Sequence, residues 1–229
     1  MRIRAAVIVL LLPSLGCAWS PPWRAGRDLA RDANPAAWFT PWGGAAVAVT
    51  GALMAVDQPL AREARRADHD AGWAKGLRTT ADLASAPIPL AFGVAGWAIG
   101  AGSHNDRLKA AGQAALVSVA AAAGTVQVLK FAIGRIRPNS SGDSPDAFRF
   151  EPFTSFGNAL PSGHTAGAAA LAGVLSKTYP GWPTWAAVAL TVAAGTSRIV
   201  DGNHWISDVA LGGAIGFHMG RRAAAGRMD

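Results

Sequence analysis

Apolar residues along the chain gather into six segments separated by short polar interruptions. Trp42–Val56 comes first and stops at Asp57-Gln58-Pro59. The charged stretch from Arg62 to Asp70 then reads as an exposed amphipathic helix. Leu83–Gly102 is the longest run without charge. Ala110–Ile133 is interrupted by Gln113, Gln127 and Lys130. Thr165–Leu175, Trp185–Thr196 and Trp205–Phe217 complete the set. Runs of β-branched and aromatic residues are scarce, so the pattern predicts an all-α chain with six helices. Only Leu83–Gly102 has the length and lack of charge of a spanning helix, which needs about 20 residues. The other runs are closer to buried core helices. The pattern therefore leans toward an exported helical domain held at a membrane over a polytopic one.

Composition sharpens this picture. Of 229 residues, 51% are hydrophobic and 15% charged, against about 25% charged in an ordinary soluble domain. One domain is expected at this length. The net charge is +7, but Arg and Lys are scattered rather than gathered on one stripe, which argues against nucleic acid. An anionic membrane surface or a phosphorylated substrate explains the excess better.

The N-terminus has the outline of an export signal, with basic Met1-Arg2-Ile3-Arg4 followed by apolar Ala5–Leu12. Cys17, the single cysteine, follows Gly16 where a bacterial lipoprotein signal places its lipidated residue. Cleavage after Ala18 and an uncleaved anchor are the other two readings. The expected organisation is a signal over 1–17, a Pro-, Trp- and Arg-rich linker over 18–40, and a helical domain over 41–222. In each reading the domain lies outside the cytoplasm.

Three motifs carry candidate chemistry. Lys130 is followed by six residues and then Arg137-Pro138, after which come Pro161-Ser162-Gly163-His164 and Ser197-Arg198 with His204 and Asp208. A spacing of four on a helix puts His204 and Asp208 on one face. Asp208 can then fix the tautomer of His204 and leave its other ring nitrogen bare for attack. Pro161-Ser162 suits a helix start, where the amides of Ser162 and Gly163 can bind an anion. Lys130, Arg137 and Arg198 are fixed cations of the kind that stabilise charge on a transferring phosphoryl group.

Taken in order, these motifs resemble those of the type 2 phosphatidic acid phosphatase superfamily, which also holds bacterial acid phosphatases and vanadium haloperoxidases. The resemblance covers roughly residues 80–220. It implies a six-helix bundle and a phosphatase that needs no metal or cofactor. It also implies His204 as a nucleophile forming phosphohistidine, with His164 as the acid that protonates the leaving oxygen. The implied substrate is a phosphorylated lipid or a small phosphoester, and the site faces the periplasm in the bacterial envelope. A broad-specificity periplasmic acid phosphatase, a vanadium haloperoxidase and a non-catalytic lipid-binding envelope protein are the alternatives.

Between the first two motifs lies a 22-residue loop, 139–160, holding Phe148, Arg149, Phe150, Phe153 and Phe156. These aromatics either contact an acyl tail or pin the loop to the domain. His69, His104 and His218 match no motif. Glu63, Asp68 and Asp70 read as solvent-facing.

Overall fold

A computed structural model describes residues 41–67, 71–140, 146–154 and 158–228. Residues 1–40, and with them the signal, Cys17 and the linker, lie outside the described residues, as do Asp68, His69, Asp70 and Phe156. The described chain is all-α. Its seven α-helices are α1 (Pro41–Ala64), α2 (Gly72–Ser85), α3 (Pro87–Gly102), α4 (Asp106–Ile133), α5 (Gly163–Thr178), α6 (Trp182–Val200) and α7 (Ile206–Met228). A short 3₁₀ turn spans Pro138–Ser140.

The described residues hold seven helices where the apolar pattern predicts six: the added one is α2, over residues 72–82 that the pattern leaves unassigned, and two segment bounds also differ. Helix α1 does not stop at Asp57-Gln58-Pro59 but runs through Pro59 to Ala64. It absorbs the start of the charged stretch that reads as a separate helix. Leu83–Gly102 is not one helix, because the chain breaks at Ala86 and α2 and α3 meet at a bend of 41°. Pro87 is the physical cause: it disfavours the α conformation in the residue before it, and Ala86 has φ −140°. The helices long and apolar enough to cross a membrane are α1 and α4, with the bent α2–α3 pair as a third if it counts as one span.

Helix α4 has clear stops. The Asn105 side chain accepts from the Leu108 amide at 3.0 Å, and Gly134 closes the other end at φ 65°. That left-handed position suits a residue without Cβ. Helix α5 is the centre of the packing, with α4, α6, α7 and α2 all against it. Its buried face is mostly alanine, from Ala166 through Ala172.

The approach of α7 to α5 is the closest feature of the bundle. Gly212, Gly216 and Gly220 recur every four residues on α7. A Cβ on them would strike the carbonyl oxygens of Ser162, Ala166 and Ala170 respectively. Small residues at this spacing let two backbones touch, as in membrane helix pairs. The contact holds the N-termini of α5 and α7 side by side, and the Ser162 amide donates to the Asp208 carbonyl at 2.9 Å.

Gly216→Val is therefore expected to destabilise the fold by about 3 kcal/mol or more, because backbone must move to admit the side chain. Gly124→Ala, where a Cβ meets nothing within 4 Å, is expected to be neutral or to stabilise by about 0.5–1 kcal/mol. Thermal unfolding of both variants in detergent checks the pair. Equal melting temperatures would show that the α5–α7 approach is not tight.

Candidate active site

Four helix ends meet at one end of the bundle: the C-termini of α4 and α6 and the N-termini of α5 and α7. The three motifs sit on these ends. Lys130 lies in the last turn of α4, and Arg137 follows just past it. His164 is the second residue of α5. Arg198 lies in the last turn of α6, and Asp208 in the first turn of α7.

His204 and Asp208 do pair, but not as two residues on one helical face. His204 lies in the turn before α7, which begins at Ile206. Its amide, like that of Asn203, donates to the Arg198 carbonyl, so the end of α6 fixes the turn. Asp208 then folds back toward the chain ahead of its own helix. Its Oδ2 accepts from the Trp205 amide at 2.8 Å, the backward half of a capping box. The same oxygen faces Nδ1 of His204 at 3.5 Å. At that length it orients the ring mainly through charge. His204 is 3% exposed. Burial, the largest influence, together with Lys130 and Arg137 lowers its pKa, while Asp208 opposes them.

His164 stands across from it and is partly exposed. Its Nε2 lies 3.5 Å from an Arg198 guanidinium nitrogen. Burial first, then Arg198 and His204, lower its pKa from 6.5 to about 4, with Asp82 pulling the other way. Arg198 is fixed from two sides. Its Nη2 donates to Ser197 Oγ at 3.1 Å and to Asp201 Oδ2 at 3.3 Å, and Asp82 of α2 faces it at 3.3 Å. Ser197 donates in turn to Asp201 at 3.3 Å, and Arg78 of α2 meets that carboxylate at 3.2 Å. Burial and Arg198 lower the pKa of Arg137, with Asp208 opposing.

One expectation at this site needs correction. The Ser162 amide is already engaged by the Asp208 carbonyl, and its buried hydroxyl accepts from Thr165 at 3.0 Å. The first helical bond runs from the Ala166 amide to the Ser162 carbonyl, so the first-turn amides without a helical acceptor are those of Gly163, His164 and Thr165. The aromatic loop is held in part by backbone and alanine contacts. Buried Ala147 and Ala159 pack with Ala61 and Trp205, and Ile136 and Glu151 bond across to Arg149 and Gly134. Phe148, Phe150 and Phe153 are left exposed, beside exposed Phe131 of α4, which meets Phe153 edge-on at 5.5 Å.

Sequence reasoning missed Asp57, Arg78, Asp82, Arg135, Asp201 and Ser207. Arg135 is wholly buried, and its Nη1 donates to Asp208 Oδ1 at 2.7 Å and to Ser207 Oγ at 2.6 Å. Its Nη2 donates to Asp57 Oδ2 at 2.7 Å. An arginine two residues ahead of Arg137, in a chain with few charges, was the available signal. An apolar groove of about 450 Å³, lined by residues such as Phe92, Leu171, Tyr179 and Leu190, runs along the second half of α5. Its α5 residues lie roughly 10–20 Å from His164 at 1.5 Å per residue. It is almost wholly apolar and has no part in this site.

A model of the PAP2 superfamily matches residues 112–227, which include every catalytic candidate. The chain belongs to the PAP2 superfamily. A lipid A 1-phosphatase of Porphyromonas gingivalis is 38% identical over 100 residues, 42% of this chain and 19% of that protein. The match thus spans about a fifth of the length of this curated relative. The crystal structure of a transmembrane PAP2-type phosphatidylglycerolphosphate phosphatase from Bacillus subtilis superposes with a TM-score of 0.57 at 26% identity, covering 81% of this chain and 92% of that one. The superfamily's helical architecture and membrane association extend to this protein.

Trp205 joins the PAP2 site to the chain ahead of Arg137. Its Nε1 donates to the Ile136 carbonyl at 2.8 Å, and the residue is 1% exposed. Trp205→Phe leaves that carbonyl without its donor and is expected to cost about 1–3 kcal/mol. A fall in thermal midpoint checks it; an unchanged midpoint would show the bond to be dispensable.

Proposed function

We propose that this protein is a phosphatase acting on lipid phosphate esters at a membrane, through a phosphohistidine formed on His204. The observation that carries this reading is the convergence of two histidines and three cations on one end of the bundle, with Asp208 behind His204. Nδ1 of His204 faces Asp208, so Nε2 is the atom left to attack. The N–P bond forms as the P–O bond to the leaving group breaks, and His164 delivers a proton to that oxygen. Water then attacks the phosphohistidine, His164 takes its proton, and inorganic phosphate departs. Lys130, Arg137 and Arg198 hold the equatorial oxygens.

A lipid substrate is supported by the surroundings. Phe131, Phe148, Phe150 and Phe153 are exposed close to Lys130 and Arg137 in the chain. Helices α1 and α4 present Val47, Val49 and Val128 outward, which suits hydrocarbon better than water. This favours a membrane-spanning bundle over the exported domain that short apolar runs suggest. The two named relatives are both phosphatases of lipid phosphates by name. Resemblance to membrane members of the family favours a site on the outer face.

His204→Ala is expected to reduce phosphate release from phosphatidic acid and phosphatidylglycerol phosphate to background. Quenching of the unsubstituted enzyme in alkaline denaturant should trap a phosphoenzyme that is stable to alkali and lost on acid treatment. Substantial turnover in the variant would remove the mechanism.

The pH dependence carries a sign. His164 must hold a proton to act as acid, and in the free enzyme it loses that proton above about 4. His204 must be neutral to attack, and its lowered pKa keeps it neutral into the acid range. A bound phosphate dianion faces His164 and raises its pKa again. The descending limb of kcat/KM is therefore expected below pH 6.5, and that of kcat at higher pH. Coincident limbs, or a kcat/KM limb above pH 7, would contradict these assignments.

A further inference from the structure

Asp57 lies on α1, outside residues 112–227 that match the superfamily. It is 1% exposed, in the C-terminal half of a helix apolar enough to cross a membrane. Its carboxylate is fully engaged. Oδ2 accepts from Arg135 at 2.7 Å and from the Ser207 hydroxyl at 2.5 Å. Oδ1 accepts from the Ser207 amide at 3.1 Å. Arg135 divides its guanidinium between Asp57 and Asp208, and its Nε and Nη2 are completed by the Ala147 carbonyl. No member of this set is more than 1% exposed.

Charge decides what the arrangement does. A buried cation facing one carboxylate forms a neutral pair. With Asp208 as the sole partner, Arg135 would cancel the negative charge that His204 needs when it becomes cationic. Asp57 supplies a second carboxylate, so the set of Asp57, Arg135 and Asp208 carries a net negative charge behind His204. In a dry interior that charge acts strongly over a few ångströms. Asp57 also holds the first turn of α7 through the Ser207 amide, at the end where a negative charge favours the helix. The same contact therefore fixes where Asp208 sits.

We infer that Asp57 is a positioning residue for turnover: through Arg135 it keeps Asp208 aligned and negatively charged behind His204. This rests on the proposed phosphohistidine mechanism. It places a determinant of catalysis on α1, at a distance of 150 residues in sequence from the helix it governs.

Asp57→Asn keeps the shape and removes the charge. Kinetics on phosphatidylglycerol phosphate in detergent, with the full chain, read the effect. The expected result is a kcat lowered about 10- to 100-fold, the range when a group orienting a functional histidine from behind is removed. KM and inhibition by inorganic phosphate should stay within about twofold, since Lys130, Arg137 and Arg198 are untouched. A purely structural role would weaken phosphate binding along with kcat. A folded Asp57→Asn enzyme with kcat within twofold of the original overturns the inference, as does a parallel loss of phosphate binding.

If Asp57→Asn does not fold, the double variant Asp57→Leu/Arg135→Met removes one charge of each sign and leaves Asp208 with the Trp205 amide as its donor. The net charge behind His204 is then unchanged and only the alignment of Asp208 through Arg135 is lost, which should lower kcat at least tenfold. A double variant with kcat near the original value overturns the inference. Failure of both to fold assigns the network to structure and overturns it too. His204→Ala and Asp208→Asn run alongside. If they are inactive while Asp57→Asn is normal, the inference alone fails. If His204→Ala is active, the mechanism beneath it fails.

Discussion

The contact on which the site depends is the backbone approach of α7 to α5. The turns that carry His164 and Asp208 are brought together by backbone, before any side chain acts. Each residue stands in the first turn of a helix, and the two helices touch because Gly212, Gly216 and Gly220 carry no Cβ against the α5 carbonyls. The bond from the Ser162 amide to the Asp208 carbonyl is made at the start of that seam. Small residues contribute little hydrophobic burial. What they contribute is distance, and an acid and a nucleophile sharing one phosphate need a fixed separation.

Helix ends also explain the gathering of charge. Lys130 and Arg198 lie in last turns and Asp208 in a first turn, each where the helix dipole favours its sign. The site is then built from short chain reversals whose hydrogen bonds close locally, such as the Asn203 and His204 amides on the Arg198 carbonyl. Arg198 needs help from further away. Asp201 and Asp82 hold its guanidinium, which leaves His164 beside a positive charge and favours its neutral form until an anion arrives.

Much of this was legible in sequence for a particular reason. Motif residues sit at fixed short spacings, and each spacing corresponds to one helix end: Lys130 to Arg137 crosses the α4 C-terminus, and Arg198 to Asp208 crosses the α6–α7 turn. The spacing of His204 and Asp208 identified the pair for an incomplete reason, since the capping-box turn brings them together and not a shared helical face. Absence of charge makes Leu83–Gly102 read as one helix, and Pro87 breaks it, since a proline restricts the residue before it whatever the hydropathy. Asp57 was read as the end of a segment because an aspartate followed by Gln58-Pro59 normally faces water. Its actual partner, Arg135, is 78 residues away. No local pattern encodes a pairing at that range. The same applies to Asp82 with Arg198, across α2 and α6.

The helix order imposes a last constraint, on the side of the membrane. Asp57 in the C-terminal half of α1 reaches the site, so α1 arrives at the site end. Helix α3 leads away and α4 returns with Lys130 near its C-terminus. Whenever α1 crosses the bilayer, residue 41 and the site stand on opposite sides, however α2 and α3 are seated. Processing at Cys17 outside the cytoplasm and an outward-facing site then fit together only if α1 lies along the surface or the chain crosses once more before residue 41. The outward valines of α1 favour crossing, while buried Asp57 resists it less than its charge suggests, because Arg135 and Ser207 satisfy it within the protein. An ionised side chain in a spanning helix is tolerated on that condition, facing the bundle with its partner in place. The contacts of Asp57 with Arg135 and Ser207 are therefore also what permits α1 to be a membrane helix.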